Sequence, residues 1–169
     1  LVFTLSQLVD IPSLMPENIL EKIISTIGEK FSITPDCEIS LESNPGTIDK
    51  NKLSNFKSMG INRLSVGVQS LDDETLKFLG RIHNANQAID LLNNAKKLGF
   101  NVSADFMYGL PNQSVTDVKN FCKKINELGL NHCSMYELSI EPNTPFYRMN
   151  LQMPDNETMA QMYESIDKT

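Results

Sequence analysis

Glu42, Gln69 and Asp105 stand toward the C-terminal ends of three strand-like runs, and each offers oxygen acceptors. In the first run Glu38, Ser40 and Glu42 share one parity, with Ile39 and Leu41 on the other. In the second, Ser65, Gly67 and Gln69 oppose Leu64, Val66 and Val68; in the third, Ser103 and Asp105 oppose Val102, Ala104 and Phe106. Side chains alternate across a strand, so each run has one apolar face and one small or polar face. The interior of a packed parallel barrel is bulky and branched, so small and polar residues there point to water or a ligand. Open sheets and barrels of α/β type place their chemistry at the C-terminal strand ends. Glu42, Gln69 and Asp105 there can ring a polar cofactor, or they can merely satisfy loop amides at the barrel mouth. Pattern alone leaves both roles open.

Other reactive side chains select no chemistry by spacing. His83 follows Gly80-Arg81-Ile82 in a loop and His132 opens a strand; isolated histidines are more often structural than catalytic. Cys37, Cys122 and Cys133 are scattered, with no Cys-x-x-Cys or Cys-x-x-x-Cys-x-x-Cys, a pattern of reduced thiols. No Gly-rich phosphate fingerprint is present. No Ser-His-Asp or His-cluster metal arrangement follows from spacing either.

Strands and helices alternate around these residues. A phrase recurs: Met59-Gly60-Ile61-Asn62, Leu98-Gly99-Phe100-Asn101 and Leu128-Gly129-Leu130-Asn131 each end a helical pattern and open a strand. Glycine there is the favoured left-handed cap, because it has no Cβ to clash at positive φ. Helix starts are marked by Thr47 or Asp49, by Ser70 or Asp72, by Asn84 with Gln87, and by Ser114 with Asp117. A helix over Glu17–Glu29 precedes them. Strands are predicted over 38–44, 63–69, 102–108 and 132–138, with a fifth over Val2–Leu5. The order implies right-handed βαβ crossovers and a parallel sheet. A complete barrel takes about 250 residues, so the predicted fold is α/β, a partial parallel barrel. The predicted division is a partial barrel over 1–150 and, over 151–169, the start of a C-terminal region.

Composition bounds the partners. The chain has 169 residues, 40% hydrophobic and 21% charged, which is ordinary for a soluble globular domain. Net charge is −6 and no basic footprint exists for phosphates, so nucleic acid is not an expected partner. Lys96–Lys97 and Lys123–Lys124 fall at helix ends, where cations suit the dipole. Every apolar run is too short for a membrane span and no basic leader precedes Leu8, so a cytoplasmic location is expected.

Five phrases occur in order: Glu42-Ser-Asn-Pro-Gly-Thr47, Asn62-Arg-Leu-Ser-Val-Gly-Val-Gln-Ser70, Gly80-Arg-Ile-His83, Asp105-Phe-Met-Tyr-Gly-Leu-Pro111 and Ile140-Glu-Pro-Asn-Thr-Pro-Phe-Tyr147. Together they closely resemble the radical S-adenosylmethionine (SAM) family of oxygen-independent coproporphyrinogen III oxidases and their HemW-type haem-chaperone relatives. The last phrase and Gly80-Arg-Ile-His83 lean toward the HemW type. The resemblance implies a partial parallel barrel, and it implies that Glu42, Gln69, Arg81 and Asp105 contact S-adenosylmethionine, with Leu138 lining the adenine site. Carboxylates and an amide suit ribose hydroxyls and the methionine amine, and Arg81 suits the methionine carboxylate.

In the family a Cys-x-x-x-Cys-x-x-Cys loop after the first strand holds a [4Fe–4S] cluster. That loop and strand have no counterpart here. The family's Gly-rich motif is matched by Ser6-Gln-Leu-Val-Asp-Ile-Pro-Ser13, where Leu8, Val9 and Asp10 replace glycines. With Leu1 at its start and a helix stopping at Thr169 with nothing after it to pack on, the chain reads as truncated. The expectation is a member retaining part of the S-adenosylmethionine site but inactive alone. Two other expectations stand beside it. One is a subunit completed by a separate cysteine-bearing N-terminal segment at an unpaired sheet edge. The other is a non-catalytic haem or porphyrin binder using His83, His132, Met or Tyr136.

Overall fold

In a computed structural model, residues 2–4 and 12–167 are described. Five strands form one sheet in chain order: β1 (Val2–Thr4), β2 (Glu38–Ser43), β3 (Arg63–Gln69), β4 (Asn101–Tyr108) and β5 (His132–Glu137). β1 pairs with β2, and β2 with β3, in parallel. The order runs open from β1 to β5 with no closing pair among the described residues. The fifth strand predicted over Val2–Leu5 is present as β1, Leu5 lying outside the described residues. Leu8, Val9 and Asp10, which replace the family's glycines, also lie outside them.

Contacts divide the chain into two units, Leu1–Ala104 and Asp105–Thr169. In the first, α1 (Glu17–Lys30), α2 (Lys50–Ser58), α3 (Asp73–Phe78) and α4 (Ala85–Lys97) alternate with the strands. Leu41, Leu64, Val66 and Val68 are buried, as are Leu53 and Phe56 of α2 and Leu91 and Leu92 of α4. Asp49, Asp72 and Asn84 cap α2, α3 and α4, and Asn84 with Gln87 makes a reciprocal capping box. Thr47 does not cap; its hydroxyl donates to the Asn44 carbonyl.

The recurring Gly-x-Asn phrase has a specific mechanical role. After α2, the Gly60 amide donates to Lys57 and the Ile61 amide to Phe56, and after α4 the Gly99 and Phe100 amides repeat this on Lys96 and Ala95. Both glycines hold positive φ, +94° and +75°, closing a Schellman turn with an apolar residue just past the glycine. The Asn62 amide then donates to Ile39 O at 3.0 Å, and the Asn101 amide to Asn62 O at 2.8 Å. Asn62 also uses its side chain: Nδ2 donates to Cys37 O at 2.8 Å and Oδ1 accepts from the Ile39 amide at 2.9 Å. The first two phrases therefore each end a helix and stitch the next strand to the preceding one.

In the second unit α5 (Val115–Glu127), α6 (Pro145–Arg148) and α7 (Asn156–Asp167) follow the end of β4. Ser114 and Asp117 form the predicted capping box on α5. The last helix, α7, packs back on α5, an element that precedes it. Met162 is buried with Tyr108, Val118 and Cys122, and Met159 and Ile166 pack beside them. Tyr163, next to Met162 on the same helix, is exposed. β5 is exposed at four of its six positions, His132, Cys133, Tyr136 and Glu137.

Replacing Asn62 with Ala strands a backbone carbonyl and amide at the start of β2. A loss of about 2 kcal/mol is expected, the scale of unsatisfied part-buried polar groups, measured by urea unfolding. Asn62→Asp, which keeps only the acceptor, is expected to recover part of it.

Candidate functional site

Parallel register places Glu38, Ser40 and Glu42 of β2 on the face shared by Arg63, Ser65 and Gly67 of β3. The lower rungs of this polar face satisfy themselves. Arg63 pairs with Glu38 at 3.1 Å, Ser40 donates to Glu38 at 2.8 Å, and Ser103 donates to Ser65 at 3.2 Å. The Ser40 hydroxyl first, and then Arg63, hold the Glu38 carboxyl below the usual glutamate range against the cost of burial. Toward the strand ends the face opens, and Glu42 is exposed.

Gly67 makes room at the upper rungs. A Cβ on it would lie 2.9 Å from Asn44 Oδ1 and 3.1 Å from Gln69 Nε2. Two side-chain amides therefore sit over this glycine, with Gln69 folded back along its own strand. Glu42 pairs with Ser65, one alternate position below Gly67. The Gln69 amide and the Glu42 rung are thus separated by about 7 Å along one face.

Gln69 has φ +67°, a left-handed value that a glutamine adopts only under constraint. The Ser70 amide donates to Val68 O at 2.9 Å, closing a γ-turn of the rare positive-φ kind around it. The same carbonyl receives His83 Nε2 at 3.1 Å. A carbonyl only accepts, so Nε2 carries the proton. Burial pushes His83 below its ordinary pKa, with the Val68 bond opposing and the Arg81 charge adding to the effect.

Arg81 follows a third Schellman turn. The Gly80 amide donates to Lys77 O and the Arg81 amide to Leu76 O, with Gly80 at φ +70°. In the turns after α2 and α4 the residue past the glycine is apolar, Ile61 or Phe100; here it is a charged one. Arg81 Nε is buried and has no hydrogen-bond partner among the described residues. Burial also lowers the guanidinium's pKa. A buried donor left unpaired costs about 1–3 kcal/mol, a cost that a carboxylate ligand would remove.

The first unit thus holds Glu42, Gln69 and Arg81. Asp105 and Leu138 belong to the second. Asp105 is half-buried three residues before the end of β4, so it is a mid-strand residue rather than the strand-end one predicted. Leu138 is buried just beyond β5, its amide donating to Tyr108 O at 3.0 Å. Sequence reading passed over Asn44, although it lies inside the Glu-Ser-Asn-Pro-Gly-Thr phrase; its position over Gly67 depends on strand register. Among the expected haem ligands, His83 is buried and engaged by Val68, while His132 and Tyr136 are exposed on β5.

A family model described as the Radical SAM superfamily matches residues 9–125. This chain belongs to that superfamily. The radical SAM chain is 37% identical over 151 residues to the heme chaperone HemW of Buchnera aphidicola (subspecies Schizaphis graminum), covering 89% of this chain and 40% of that one. It is 34% identical to HemW of Escherichia coli, covering 90% of this chain and 41% of that protein. Among solved structures, coproporphyrinogen III oxidase (HemN) of Escherichia coli, a radical SAM enzyme, superposes with a TM-score of 0.80 at 25% identity, over 91% of this chain and 36% of that one. Archaeal Elp3 from Methanocaldococcus infernus superposes at 0.76 with 18% identity, a likeness of fold alone. The chain therefore spans about two fifths of the length of the curated relatives it matches.

Superfamily membership implies S-adenosylmethionine and a [4Fe–4S] cluster, and the two fit this chain differently. The unpaired Arg81 Nε and the cradle over Gly67 suit a zwitterionic amino-acid moiety. For a cluster, no group of three or more His, Cys, Asp or Glu is placed to hold a metal among the described residues. Cys37 and Cys122 are buried in separate units and Cys133 is exposed. The cluster does not fit the residues present. No helix among the described residues is long and apolar enough to cross a membrane.

Gln69→Gly relieves the left-handed strain, offsetting its lost side chain. Its unfolding free energy is expected within about 1 kcal/mol of the parent, whereas β-branched Gln69→Val is expected to lose more than about 1 kcal/mol. Urea titrations of both variants check this.

Proposed function

We propose that this chain is the S-adenosylmethionine-cradling part of a radical SAM protein of the HemW and oxygen-independent coproporphyrinogen III oxidase kind, acting in haem or porphyrin metabolism. The observation that carries it is the buried Arg81 Nε, which has no hydrogen-bond partner among the described residues. Arg81 binds the methionine carboxylate by charge-assisted hydrogen bonds. Glu42 accepts from the methionine amine or ribose hydroxyls, and the Gln69 amide orients the same polar groups. The roles of Asp105 as a further acceptor and Leu138 as an apolar contact rest on the motifs alone. What bound S-adenosylmethionine supplies is an activated sulfonium, open to reductive cleavage by an iron–sulfur cluster. These residues bind and orient; the thiolates for a cluster come from outside these 169 residues. The chain by itself is thus a binder without radical activity, and a cysteine-bearing segment is its implied partner.

Isothermal titration with S-adenosylmethionine tests this. Saturable binding is expected, weakened about 10–100-fold in Arg81→Gln, the range for a hydrogen bond to a charged group. No 5′-deoxyadenosine is expected under reducing conditions without an added cysteine-bearing segment. Folded chain with no saturable binding would overturn the proposal.

A further inference from the structure

His83 is buried, 4% exposed, and the ligand contacts proposed above do not use it. Its bond to Val68 O joins residues fifteen apart. The loop so closed contains α3 and carries two proposed cofactor contacts at its ends. Gln69 lies one residue after Val68, and Arg81 lies two residues before His83. One hydrogen bond therefore closes the segment that presents both groups.

Each end of the loop is determined elsewhere except at this junction. Arg81 is tied to α3 by its amide bond to Leu76 O. Asn84, next to His83, caps α4, and the Ala85 amide donates to Asp73 Oδ1 at 2.8 Å. Ser70 Oγ accepts from the Asp72 amide at 3.2 Å, leading into the cap of α3. Between these anchors Gln69 is held at φ +67°, a conformation that persists only where its surroundings over-determine it. The Val68 carbonyl, shared by Ser70 and His83, is the group that does so.

We infer that His83 is a positioning residue of the cofactor site: its Nε2–H bond to Val68 O holds the γ-turn that presents Gln69 and sets Arg81 in the same closed loop. This rests on the S-adenosylmethionine reading above. Burial favours the neutral ring, which keeps a second positive charge away from Arg81 while leaving Nε2–H to donate. Ile82, between the two, is 81% exposed and its Cδ1 lies 3.1 Å from where a Cβ on Gly46 would be. The loop tip thus touches the Pro45–Thr47 turn, and His83 is its inward anchor.

The test compares the full 169-residue chain with His83→Gln, His83→Phe and His83→Leu, and with Leu91→Ala as a core control on α4. Gln presents an amide donor at similar reach; Phe keeps the ring without the donor. Two quantities are read: S-adenosylmethionine affinity by titration, and exchange of the Ser70 amide against global unfolding. Phe and Leu variants are expected to bind about tenfold or more weakly and to expose Ser70 to exchange by local opening. The Gln variant is expected to return within about threefold of the parent, and Leu91→Ala to lose stability without either change. Parent-like affinity in His83→Phe or, should it not fold, in His83→Leu would overturn the inference. So would a His83→Gln variant that binds as poorly as the Phe and Leu variants while its Ser70 amide stays protected. Absence of binding by the parent would instead overturn the cofactor reading, leaving Ser70 exchange to report on the latch.

Discussion

A parallel sheet obliges every strand to start from the same edge, so the chain must leave each helix in a sharp reversal and re-enter the sheet in register. Here the reversal is a Schellman turn through glycine, and the register is held by the asparagine two residues later. Asn62 meets that constraint with its backbone and with both ends of its side chain. The strand positions, and hence which side chains face each other at the sheet's upper end, depend on these junctions. A slip of one residue would turn Glu42, Gly67 and Gln69 to the opposite face.

Charge is disposed unevenly along the polar face that results. At the bottom Glu38 and Arg63 neutralise each other, Ser40 donates to Glu38 and Ser103 to Ser65, so those groups are satisfied within the sheet. At the top the balance is left open. Glu42 is exposed, two amides sit over Gly67, and the buried Arg81 Nε has no hydrogen-bond partner among the described residues.

Strain gathers at the same end. The left-handed Gln69, the doubly used Val68 carbonyl and the charged residue in a turn position otherwise apolar all depart from what local preference favours. In the second unit the left-handed residues are asparagines, Asn112, Asn143 and Asn150, which tolerate that region better than glutamine, while α7 covers α5 with Met162 and Phe106 meets Phe121 edge to face at 5.5 Å.

Local chemistry determined much of this protein from its sequence. The caps Asp49, Asp72, Asn84 and Ser114 and the strand runs to Gln69 and Tyr108 were legible because each obeys a short-range rule of capping or alternation. The radical SAM family was legible from its phrases. Tertiary structure decided what depends on distant partners. Sequence could not show Gln69 at positive φ, because glutamine carries no mark of it, nor that the Val68 carbonyl before it meets His83, fifteen residues further on. Nor could it show Asn44 over Gly67, which follows from strand register, or Tyr163 facing solvent, which follows from how α7 turns its methionines onto α5. Short-range preference acts through neighbouring backbone, whereas strain, orphaned donors and exposure are properties of contacts that exist only once the chain has closed on itself.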